Sequence, residues 1–425
     1  MNRLDSELVQ GLLEEAGYEM TRDLRSADLI LFNTCSVREH AEARVYGRLA
    51  ALRSLKEERP EIVIAVLGCM AQKDRRKVFE SAPHVDIVCG TRQFPGILEW
   101  IDRVRRGKGR QLEVTENGEL FEAFARRSVH PGAFQAYVSV MRGCNSYCSY
   151  CIVPYVRGAE TSRPPEEILD EAKRLRDGGI IEITLLGQNI SAYGKDLGDV
   201  NLAGLLAAVS AVQGIERVWF ITSHPRDVTQ EVFEVMRDLP NVCEYLHMPA
   251  QSGSSRVLRR MNRGYTREHY LRRVECAYRS VPGLAVASDF IVGFPGETEE
   301  DFRETISLVE ACRFSGAFIF KYSPRPGTKA ADLEDDVPME VKRRRNQELL
   351  AVQEGISGEE NAKFVDTTVD VLLEGPSKTD RTRLMGRASD HRIVIIEGCR
   401  DEAGSLVPVT ITRSTPLSLY GRPAR

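Results

Sequence analysis

The amino-acid sequence predicts a multidomain α/β protein with three parts. A small parallel α/β domain comes first, a partial (βα)6 TIM-like barrel follows, and a small all-β barrel ends the chain. Helix-like and strand-like patterns alternate up to about residue 107, strand–helix units begin at residue 137, and short strands with polar turns fill residues 361–424. A chain of 425 residues is also longer than one ordinary domain.

The composition is that of a globular protein in a reducing compartment. Hydrophobic residues make up 42% of the chain and charged residues 28%. No apolar stretch has the length of a membrane span and no secretory signal is recognisable, so we expect a cytoplasmic protein without a membrane partner. The ten cysteines are therefore better candidates for metal ligands than for disulfides. A net charge of −4 excludes a global attraction to nucleic acid, so any RNA contact must be local.

The first domain is predicted from an amphipathic helix and three strands. Leu4, Leu8, Leu12 and Leu13 share one helical face. The later elements are a strand at 28–33, a helix at 37–49, and strands at 62–67 and 85–88. Each strand runs into a cysteine, namely Cys35, Cys69 or Cys89. Ligands bind outside the carboxyl ends of such strands, so a second metal site and simply buried thiols are both open interpretations.

The middle of the chain predicts the barrel. Residues 103–110 are interpreted as a solvated linker rather than a nucleic-acid patch. Helical patterns such as 166–175 and 298–312 separate strands predicted at residues 137–141, 182–186, 217–221, 243–247, 284–292 and 317–322. Polar residues follow three of these strands, at 187–189, 222–225 and 247–252. Barrel enzymes place their active sites at the carboxyl ends of the strands, so these segments predict an active-site rim.

Two later segments carry basic residues. A last helix at 340–350 contains Lys342, Arg343, Arg344 and Arg345, and a solvated helix face is as compatible with this pattern as RNA contact. Strands predicted at 367–373, 392–396 and 406–412 form the small β-barrel, a type that often binds oligonucleotides. Lys378, Arg381 and Arg383 cluster on one of its loops. An RNA-binding module is favoured, with a structural cap as the alternative.

The strongest chemical signal is a loop with three cysteines, Cys144, Cys148 and Cys151, directly after the first barrel strand. Three thiolates can hold three corners of a [4Fe–4S] cube and leave the fourth iron without a protein ligand. A structural zinc site needs four ligands, and a disulfide would leave one thiol over. The loop therefore favours an iron–sulfur cluster over zinc or unremarkable thiols, and it suggests that another molecule binds the open iron.

The CxxxCxxC loop on the first strand of a partial barrel resembles the radical S-adenosylmethionine (SAM) enzymes. The resemblance implies that the amino and carboxylate groups of SAM bind the fourth iron and that one electron from the cluster cleaves the sulfonium to a 5′-deoxyadenosyl radical. The radical arises at the cluster, so no separate catalytic side chain is assigned. Candidate SAM-binding residues in the barrel are Gly187, Gln188, Asn189, Asp289 and Gly293.

Further motifs narrow the resemblance to the MiaB-type tRNA methylthiotransferases over essentially the whole chain. They are Asn33-Thr-Cys35-Ser-Val-Arg38, Gly68-Cys69-Met-Ala-Gln72, Arg142-Gly-Cys144, Leu186-Gly-Gln-Asn189, Ser223-His-Pro225, His247-Met-Pro-Ala-Gln-Ser-Gly253 and Ser288-Asp-Phe-Ile-Val-Gly-Phe-Pro-Gly-Glu-Thr298. The resemblance implies a methylthiotransferase domain at 1–107, a radical SAM core at 130–360 and a TRAM domain at 361–424 that grips tRNA.

The implied reaction is 2-methylthiolation of N6-(dimethylallyl)adenosine at tRNA position 37, next to the anticodon. It implies two [4Fe–4S] clusters with SAM, a flavodoxin- or ferredoxin-type reductant, and a monomer. Sibling enzymes act on threonylcarbamoyl-adenosine or on a ribosomal protein, and these remain alternatives. A non-catalytic RNA-binding protein with structural zinc is the alternative from a different class.

The sequence departs from the family pattern at one ligand of the second cluster. The resemblance implies three cysteines there, and Cys35 and Cys69 match two of them. The first cysteine of the family pattern lies in a short N-terminal segment. This sequence begins with Met1 inside that segment, after the position of the cysteine. We expect either that the third ligand lies upstream of this start, in an N-terminally truncated sequence, or that Cys89 replaces it. As written, the chain is expected to keep the radical cluster and to bind the auxiliary cluster poorly.

Overall fold

The structure, a computed structural model, describes residues 1–36, 39–115, 132–399 and 401–424. The described chain divides into two compact units. The first unit holds the residues up to 115 together with Met141–Tyr147 and Cys151–Arg163. The second holds residues 132–140, Cys148–Tyr150 and residues 164–424. Val37, Arg38 and the expected domain start at residue 130 lie outside the described residues.

The first unit is built on a parallel sheet, as the sequence predicts. Its strands lie in the order β1–β2–β3–β4. In chain order the elements are α1 (Asn2–Glu15), β1 (Leu29–Thr34), α2 (Glu39–Ala51), α3 (Arg53–Glu58), β2 (Val63–Gly68), α4 (Cys69–Asp74), α5 (Lys77–Ser81), β3 (Ile87–Cys89), a 3-10 turn (Phe94–Gly96), α6 (Ile97–Arg105) and β4 (Gln111–Glu113). Strand β2 is buried along its whole length, as expected for a parallel strand that is covered on both faces.

The segment interpreted as a linker is instead part of this domain. Arg103 and Arg105 lie in the last turn of α6, and β4 follows as a fourth strand parallel to β3. The sheet therefore continues beyond the expected boundary at residue 107. The sequence pattern missed β4 because it has three residues, too few to show a strand period.

The first unit also contains the flanks of the cysteine loop. These flanks are β6 (Met141–Arg142), α7 (Val153–Arg157) and β7 (Thr161–Ser162). Strands β6 and β7 pair antiparallel, with Met141 opposite Ser162 and Arg142 opposite Thr161. The pairing brings the two ends of the loop segment together.

The second unit contains the six strands of the predicted partial barrel. The strands are β5 (Gln135–Ser139), β8 (Glu182–Leu186), β9 (Arg217–Ile221), β10 (Tyr245–His247), β11 (Ala285–Val292) and β12 (Gly316–Lys321). They form two parallel three-stranded sheets, β5–β8–β9 and β10–β11–β12. A parallel bridge between Val218 and Val242 joins the chain of β9 to the segment before β10. These bounds agree with the predicted strands to within two residues at each end.

Helices separate the strands and cover one face of the sheets. They are α8 (Pro165–Asp177), α9 (Leu202–Ser210), α10 (Gln230–Asp238), α11 (Ser255–Arg260), α12 (Arg267–Ser280), α13 (Glu299–Cys312) and α14 (Met339–Ala362), with 3-10 turns at Ile190–Ala192 and Lys329–Asp332. Helix α13 begins with a capping box in which Thr298 and Asp301 satisfy each other's backbone N–H groups.

The basic face of α14 is largely paired within the protein. Lys342 is buried and contacts both carboxylate oxygens of Asp335 at 2.6 Å, and Arg345 is buried against Glu297 at 2.8 Å. Arg344 pairs with Glu299 at 2.6 Å. These contacts favour the structural interpretation of this helix over the RNA-contact interpretation.

The chain ends in a closed five-stranded barrel, which confirms the predicted fold class. Its strands lie in the order β13–β14–β15–β17–β16, with β13 (Thr368–Pro376), β14 (Leu384–Ala388), β15 (Ile393–Ile396), β16 (Leu406–Ser414) and β17 (Leu419–Pro423). The sequence patterns identified β13, β15 and β16 and missed the two others. Strands β14 and β17 each contain a glycine and an arginine, so their apolar alternation is weak.

Within the second unit the small barrel packs on the first residues of the larger barrel's strands. Arg217 donates to the carbonyl oxygens of Arg387 at 2.6 Å and Asp370 at 2.8 Å. The His391 ring stacks on Tyr245 with the ring centres 4.5 Å apart. No helix among the described residues is long and apolar enough to cross a membrane.

Candidate active site

The base of the cysteine loop is held tightly within the first unit. Gly143 has a φ of 78°, and a Cβ on it would lie 1.9 Å from the carbonyl oxygen of Ala159. The N–H of Cys144 donates to the carbonyl oxygen of Gly158 at 3.1 Å. Cys144 and Cys151 are both partly exposed. The loop base therefore accepts only glycine at position 143.

Gly143→Ala is expected to displace the loop, because a side chain there needs both a strained φ and room that Ala159 occupies. The φ alone costs about 1–2 kcal/mol. We expect reduced iron incorporation, measured as iron per chain after anaerobic reconstitution. Gly107→Ala is the matched control, since Gly107 has a φ of 72° with nothing within 4 Å of the added Cβ. Full iron content in Gly143→Ala would show that the tight base is not needed.

Cys148 belongs to the second unit, where its sulfur is held by a buried guanidinium. Arg263 Nη1 lies 3.2 Å from Cys148 Sγ. The same arginine donates to Tyr265 Oη at 2.9 Å and to the carbonyl oxygen of Pro249 at 2.9 Å. Burial opposes its charge, but the neighbouring Tyr150, Tyr265 and Cys148 raise the pKa of Arg263 above its ordinary value. The buried guanidinium therefore fixes the position of this sulfur.

The three cysteines of the loop are thus placed on two units, Cys144 and Cys151 on the first and Cys148 on the second. No three His, Cys, Asp or Glu side chains in the described parts of the chain converge on one point as ligands of a single ion. A cubane cluster spreads its thiolates around a cube instead of around one ion, so the spacing of the loop still favours a cluster.

Polar atoms without partners line the predicted rim at the ends of β8 and β9. Among the described residues, five buried side-chain atoms there have no hydrogen-bond partner: Gln188 Oε1, Asn189 Oδ1, Ser191 Oγ, Ser223 Oγ and His224 Nε2. Buried polar atoms are nearly always paired in a folded protein, so a cluster of unpaired ones indicates a place for a polar ligand. These side-chain atoms can accept or donate hydrogen bonds. They match the ammonium and carboxylate groups and the ribose hydroxyls of SAM.

The backbone is strained at the same ends of the strands. Thr222, the residue after β9, has a φ of 73°, and Gln251, shortly after β10, has a φ of 70°. A positive φ is rare for non-glycine residues and rarest for β-branched ones such as threonine. Strain of this kind collects at functional sites, where the surroundings hold it in place.

Asp227 connects the polar residues of the rim. Its carboxylate accepts from Asn189 Nδ2 at 2.8 Å and from Lys195 Nζ at 2.6 Å. Burial favours the protonated form, but these hydrogen bonds and the nearby cations lower the pKa of Asp227 to about 2. Burial and the positive charge of Arg263 lower the pKa of the neighbouring His224 to about 2, so this imidazole is neutral. The network orients Asn189, one of the predicted SAM-binding residues.

Asp227→Asn is expected to destabilise the protein by about 1 kcal/mol at neutral pH, after allowance for solvent screening. The pKa of Asp227 is depressed on folding, so its contribution is complete above about pH 4 and is lost as pH falls towards 2. The difference between parent and variant in urea unfolding should therefore shrink over that range. Asp238→Asn, at an exposed pair with Arg237, is the control and should change little. A pH-independent difference would contradict this assignment.

Asp289 and Gly293 lie on and after β11. Asp289 Oδ1 is 3.1 Å from His247 Nε2, and both side chains remain partly exposed. Gly293 has a φ of 69°, and its N–H donates to Glu297 Oε1 at 2.9 Å. The N–H of Gly293 is thus already used inside the protein, whereas Asp289 is accessible to a ligand. Gly187, at the end of β8, is buried.

The second predicted cluster site lies in the first unit around Cys69. Cys69 is the first residue of α4, and it packs with Ile152 and Val156 beside the cysteine loop. Cys35 follows β1 and is partly exposed. Cys89 is fully buried, which raises the pKa of its thiol well above the ordinary value, and the thiol lies 3.5 Å from the carbonyl oxygen of Gly90. These properties disfavour Cys89 as a thiolate ligand.

Sequence reasoning missed a buried ion-pair cluster beside Cys69. Asp5 accepts from Arg142 Nη2 at 2.7 Å and from Arg157 Nη2 at 2.8 Å, and all three side chains are at most 5% exposed. Cys69 is a close neighbour of both arginines. One signal was available: Asp5 interrupts the apolar face formed by Leu4 and Leu8. A carboxylate on a buried helix face needs a cationic partner.

Comparisons with known proteins cover all three parts of the chain. The Radical SAM superfamily matches residues 138–309, the Uncharacterized protein family UPF0004 matches residues 1–90, and the TRAM domain matches residues 362–424. The chain is 45% identical to a tRNA-2-methylthio-N(6)-dimethylallyladenosine synthase of Moorella thermoacetica, over 99% of this chain and 95% of the relative. It is 46% identical to the protein of that name from Carboxydothermus hydrogenoformans, over 99% of this chain and 96% of the relative.

A solved structure agrees at the level of the fold. The radical S-adenosylmethionine methyltransferase TsrM from Kitasatospora setae, with cobalamin and a [4Fe-4S] cluster bound, superimposes with a TM-score of 0.57. The match covers 77% of this chain and 73% of TsrM at 15% sequence identity. The similarity therefore concerns the fold and not the substrate.

Proposed function

The chain belongs to the family of tRNA-2-methylthio-N(6)-dimethylallyladenosine synthases, which are radical SAM methylthiotransferases, and we propose that it adds a methylthio group to dimethylallyl-adenosine in tRNA. The observation that carries this proposal is the identity of about 45% over nearly the whole chain, including each of the three matched domains. The family uses two [4Fe–4S] clusters and SAM as cofactors, and its substrate is tRNA.

Cys144, Cys148 and Cys151 are the proposed ligands of the cluster that binds SAM. The partial exposure of Cys144 and Cys151 and the contact of Arg263 with Cys148 support this assignment. When bound, the cluster and SAM supply the one-electron chemistry that an unactivated aromatic C–H bond requires. The protein contributes a tight loop base and a buried cation that holds the sulfur of Cys148.

Gly187, Gln188, Asn189, Asp289 and Gly293 are the proposed SAM-binding residues. The unpaired oxygens of Gln188 and Asn189 and the accessible carboxylate of Asp289 support the assignment of these three. Gly187 and Gly293 are proposed for their backbone, which lies at the ends of β8 and β11. Asp227 is a positioning residue because it acts through its hydrogen bond to Asn189.

Cys35 and Cys69 are two proposed ligands of the second cluster, and no described residue is assigned as the third. The buried cations of Arg142 and Arg157 lie near Cys69, and their positive charge supports an anionic cluster there. Cys69 packs against Ile152 and Val156, which follow Cys151 in the cysteine loop segment. This packing supports a second cluster close to that segment.

The division into domains at 1–107, 130–360 and 361–424 stays a prediction, and the fourth strand at Gln111–Glu113 supports an extension of the first domain. The exposed Lys378 and Arg381 on the loop of the TRAM barrel are proposed tRNA contacts, whereas Arg383 pairs with Asp380 and Glu397. Cytoplasmic location, a monomeric state and a flavodoxin- or ferredoxin-type electron donor also stay predictions, in keeping with a tRNA substrate.

The test is an anaerobic assay with reconstituted protein, dithionite and SAM. Three tRNA substrates are compared, with dimethylallyl-adenosine, threonylcarbamoyl-adenosine or unmodified adenosine next to the anticodon. We expect a brown protein that forms 5′-deoxyadenosine and adds a methylthio group to the dimethylallyl substrate alone, in low yield because the second cluster is expected to bind poorly. A product on the threonylcarbamoyl substrate would favour the sibling activity. A colourless protein that contains zinc and forms no 5′-deoxyadenosine would favour the non-catalytic RNA-binding alternative.

A further inference from the structure

One face of strands β11 and β12 carries aromatic side chains that the proposed chemistry does not use. The opposite face is packed under the helices, with Val286, Phe290 and Val292 at most 1% exposed. In the parallel register, Asp289 lies opposite Phe318 and Ile291 lies opposite Phe320. Paired residues of neighbouring strands point to the same side of a sheet. Asp289, Phe318 and Phe320 therefore share the face opposite to the one that the described helices cover.

Phe318 is unusually exposed for an aromatic residue in the middle of a strand. Its exposed fraction is 57%, and that of Phe320, two residues further on, is 38%. Strand β12 is also the last strand of its three-stranded sheet. An apolar edge strand is an aggregation hazard that proteins normally cover or replace with charge. Two exposed phenylalanines there indicate a surface that something apolar covers during function.

The polar neighbours of this surface restrict what can cover it. The Phe318 ring stands edge-on to His247, with ring centres 6.4 Å apart, and His247 contacts Asp289 at 3.1 Å. The surface thus has an apolar strip next to a carboxylate and an imidazole, close to the carboxyl ends of the barrel strands. A ligand with an apolar branch on a polar, uncharged ring matches this arrangement, whereas Asp289 repels a ligand whose carboxylate gives it a net negative charge.

We propose that Phe318, together with Phe320, packs against the dimethylallyl group of the target adenine and so determines substrate specificity. This inference rests on the proposed function and names the part of the site that recognises the modification. The dimethylallyl group is a branched apolar group of five carbons, and burying it on two aromatic rings removes apolar surface from water. The threonylcarbamoyl group carries a carboxylate, which Asp289 disfavours.

The test measures binding of anticodon stem-loop RNAs to the reconstituted protein. One RNA carries dimethylallyl-adenosine, one carries unmodified adenosine and one carries threonylcarbamoyl-adenosine. The parent protein should prefer the dimethylallyl RNA over the unmodified RNA by about tenfold to a hundredfold. Phe318→Ala should lose most of this preference, by weakening the dimethylallyl complex more than the unmodified one. Phe318→Leu keeps an apolar side chain and should retain most of it.

Leu350→Ala is the matched control, since Leu350 is 43% exposed on helix α14, away from this face. It should leave all three affinities unchanged. A parent protein without preference for the dimethylallyl RNA would overturn both the inference and the proposed function. A parent protein with the preference, and a Phe318→Ala variant that keeps it in full, would overturn the inference alone.

Discussion

Cys148→Ala is expected to abolish methylthiolation and the formation of 5′-deoxyadenosine. Removing one thiolate from a three-ligand loop leaves a [4Fe–4S] cluster with too few protein ligands, and the iron content should fall by about four atoms per chain. The measurement combines iron analysis with quantification of both products. The effect should be large because Cys148 is the cysteine whose sulfur is held by the buried Arg263.

Cys276→Ala is the control, because it removes a cysteine that lies outside the proposed cluster loop. Cys276 lies on helix α12, where its sulfur is 3.0 Å from Gln230 Oε1, and the variant should keep its iron and its activity. A Cys148→Ala protein with the iron content and 5′-deoxyadenosine formation of the parent would contradict the assignment of the loop.

Asp5→Ala is expected to destabilise the first unit by about 3–5 kcal/mol, because it leaves two buried arginines without their shared carboxylate. Burial favours protonation of Asp5, but Arg157 and Arg142 lower its pKa below the ordinary value. A depressed pKa stabilises the folded state fully above about pH 4, and this stabilisation is lost as pH falls through the folded pKa. Acid should therefore weaken the parent protein more than the variant.

Tryptophan fluorescence can report this unit alone. The chain has two tryptophans, of which Trp100 lies on α6 in the first unit and Trp219 on β9 in the second. Urea unfolding in a Trp219→Phe background therefore follows Trp100. Glu7→Ala is the control on the same helix: Glu7 pairs with the exposed Arg3, so its loss should cost below about 1 kcal/mol. Equal stability of Asp5→Ala and Glu7→Ala would show that the buried cluster does not hold the unit together.

Local patterns in the sequence predicted most of the fold and the cysteine loop. The six barrel strands are apolar runs between helices of regular period, and Cys144, Cys148 and Cys151 lie within eight residues of one another. The pattern failed where an element was short or its contacts were distant. Strand β4 has only three residues. Arg142, which forms an ion pair with Asp5, lies 137 residues away from it in sequence. Register and charge pairing over such distances are set by tertiary packing.

The candidate site shows the same division. Gln188 and Asn189 were predicted from their position after a strand, and the structure adds that their oxygens are buried and unpaired among the described residues. Asp227 was not predicted, because its role depends on Asn189 and Lys195, which lie 38 and 32 residues away. Phe318 lies within the strand predicted at 317–322, but a sequence pattern cannot distinguish an aromatic side chain that is packed from one that is exposed.

The most direct test of the central claim is mass spectrometry of tRNA nucleosides from a bacterial strain that lacks its own methylthiotransferase. The account predicts that expression of this protein converts part of the dimethylallyl-adenosine to its 2-methylthio derivative, since the second cluster is expected to bind poorly, and that the Cys148→Ala variant leaves dimethylallyl-adenosine unchanged. Absence of the methylthio nucleoside with the parent protein, or its presence with the Cys148→Ala variant, would contradict the account.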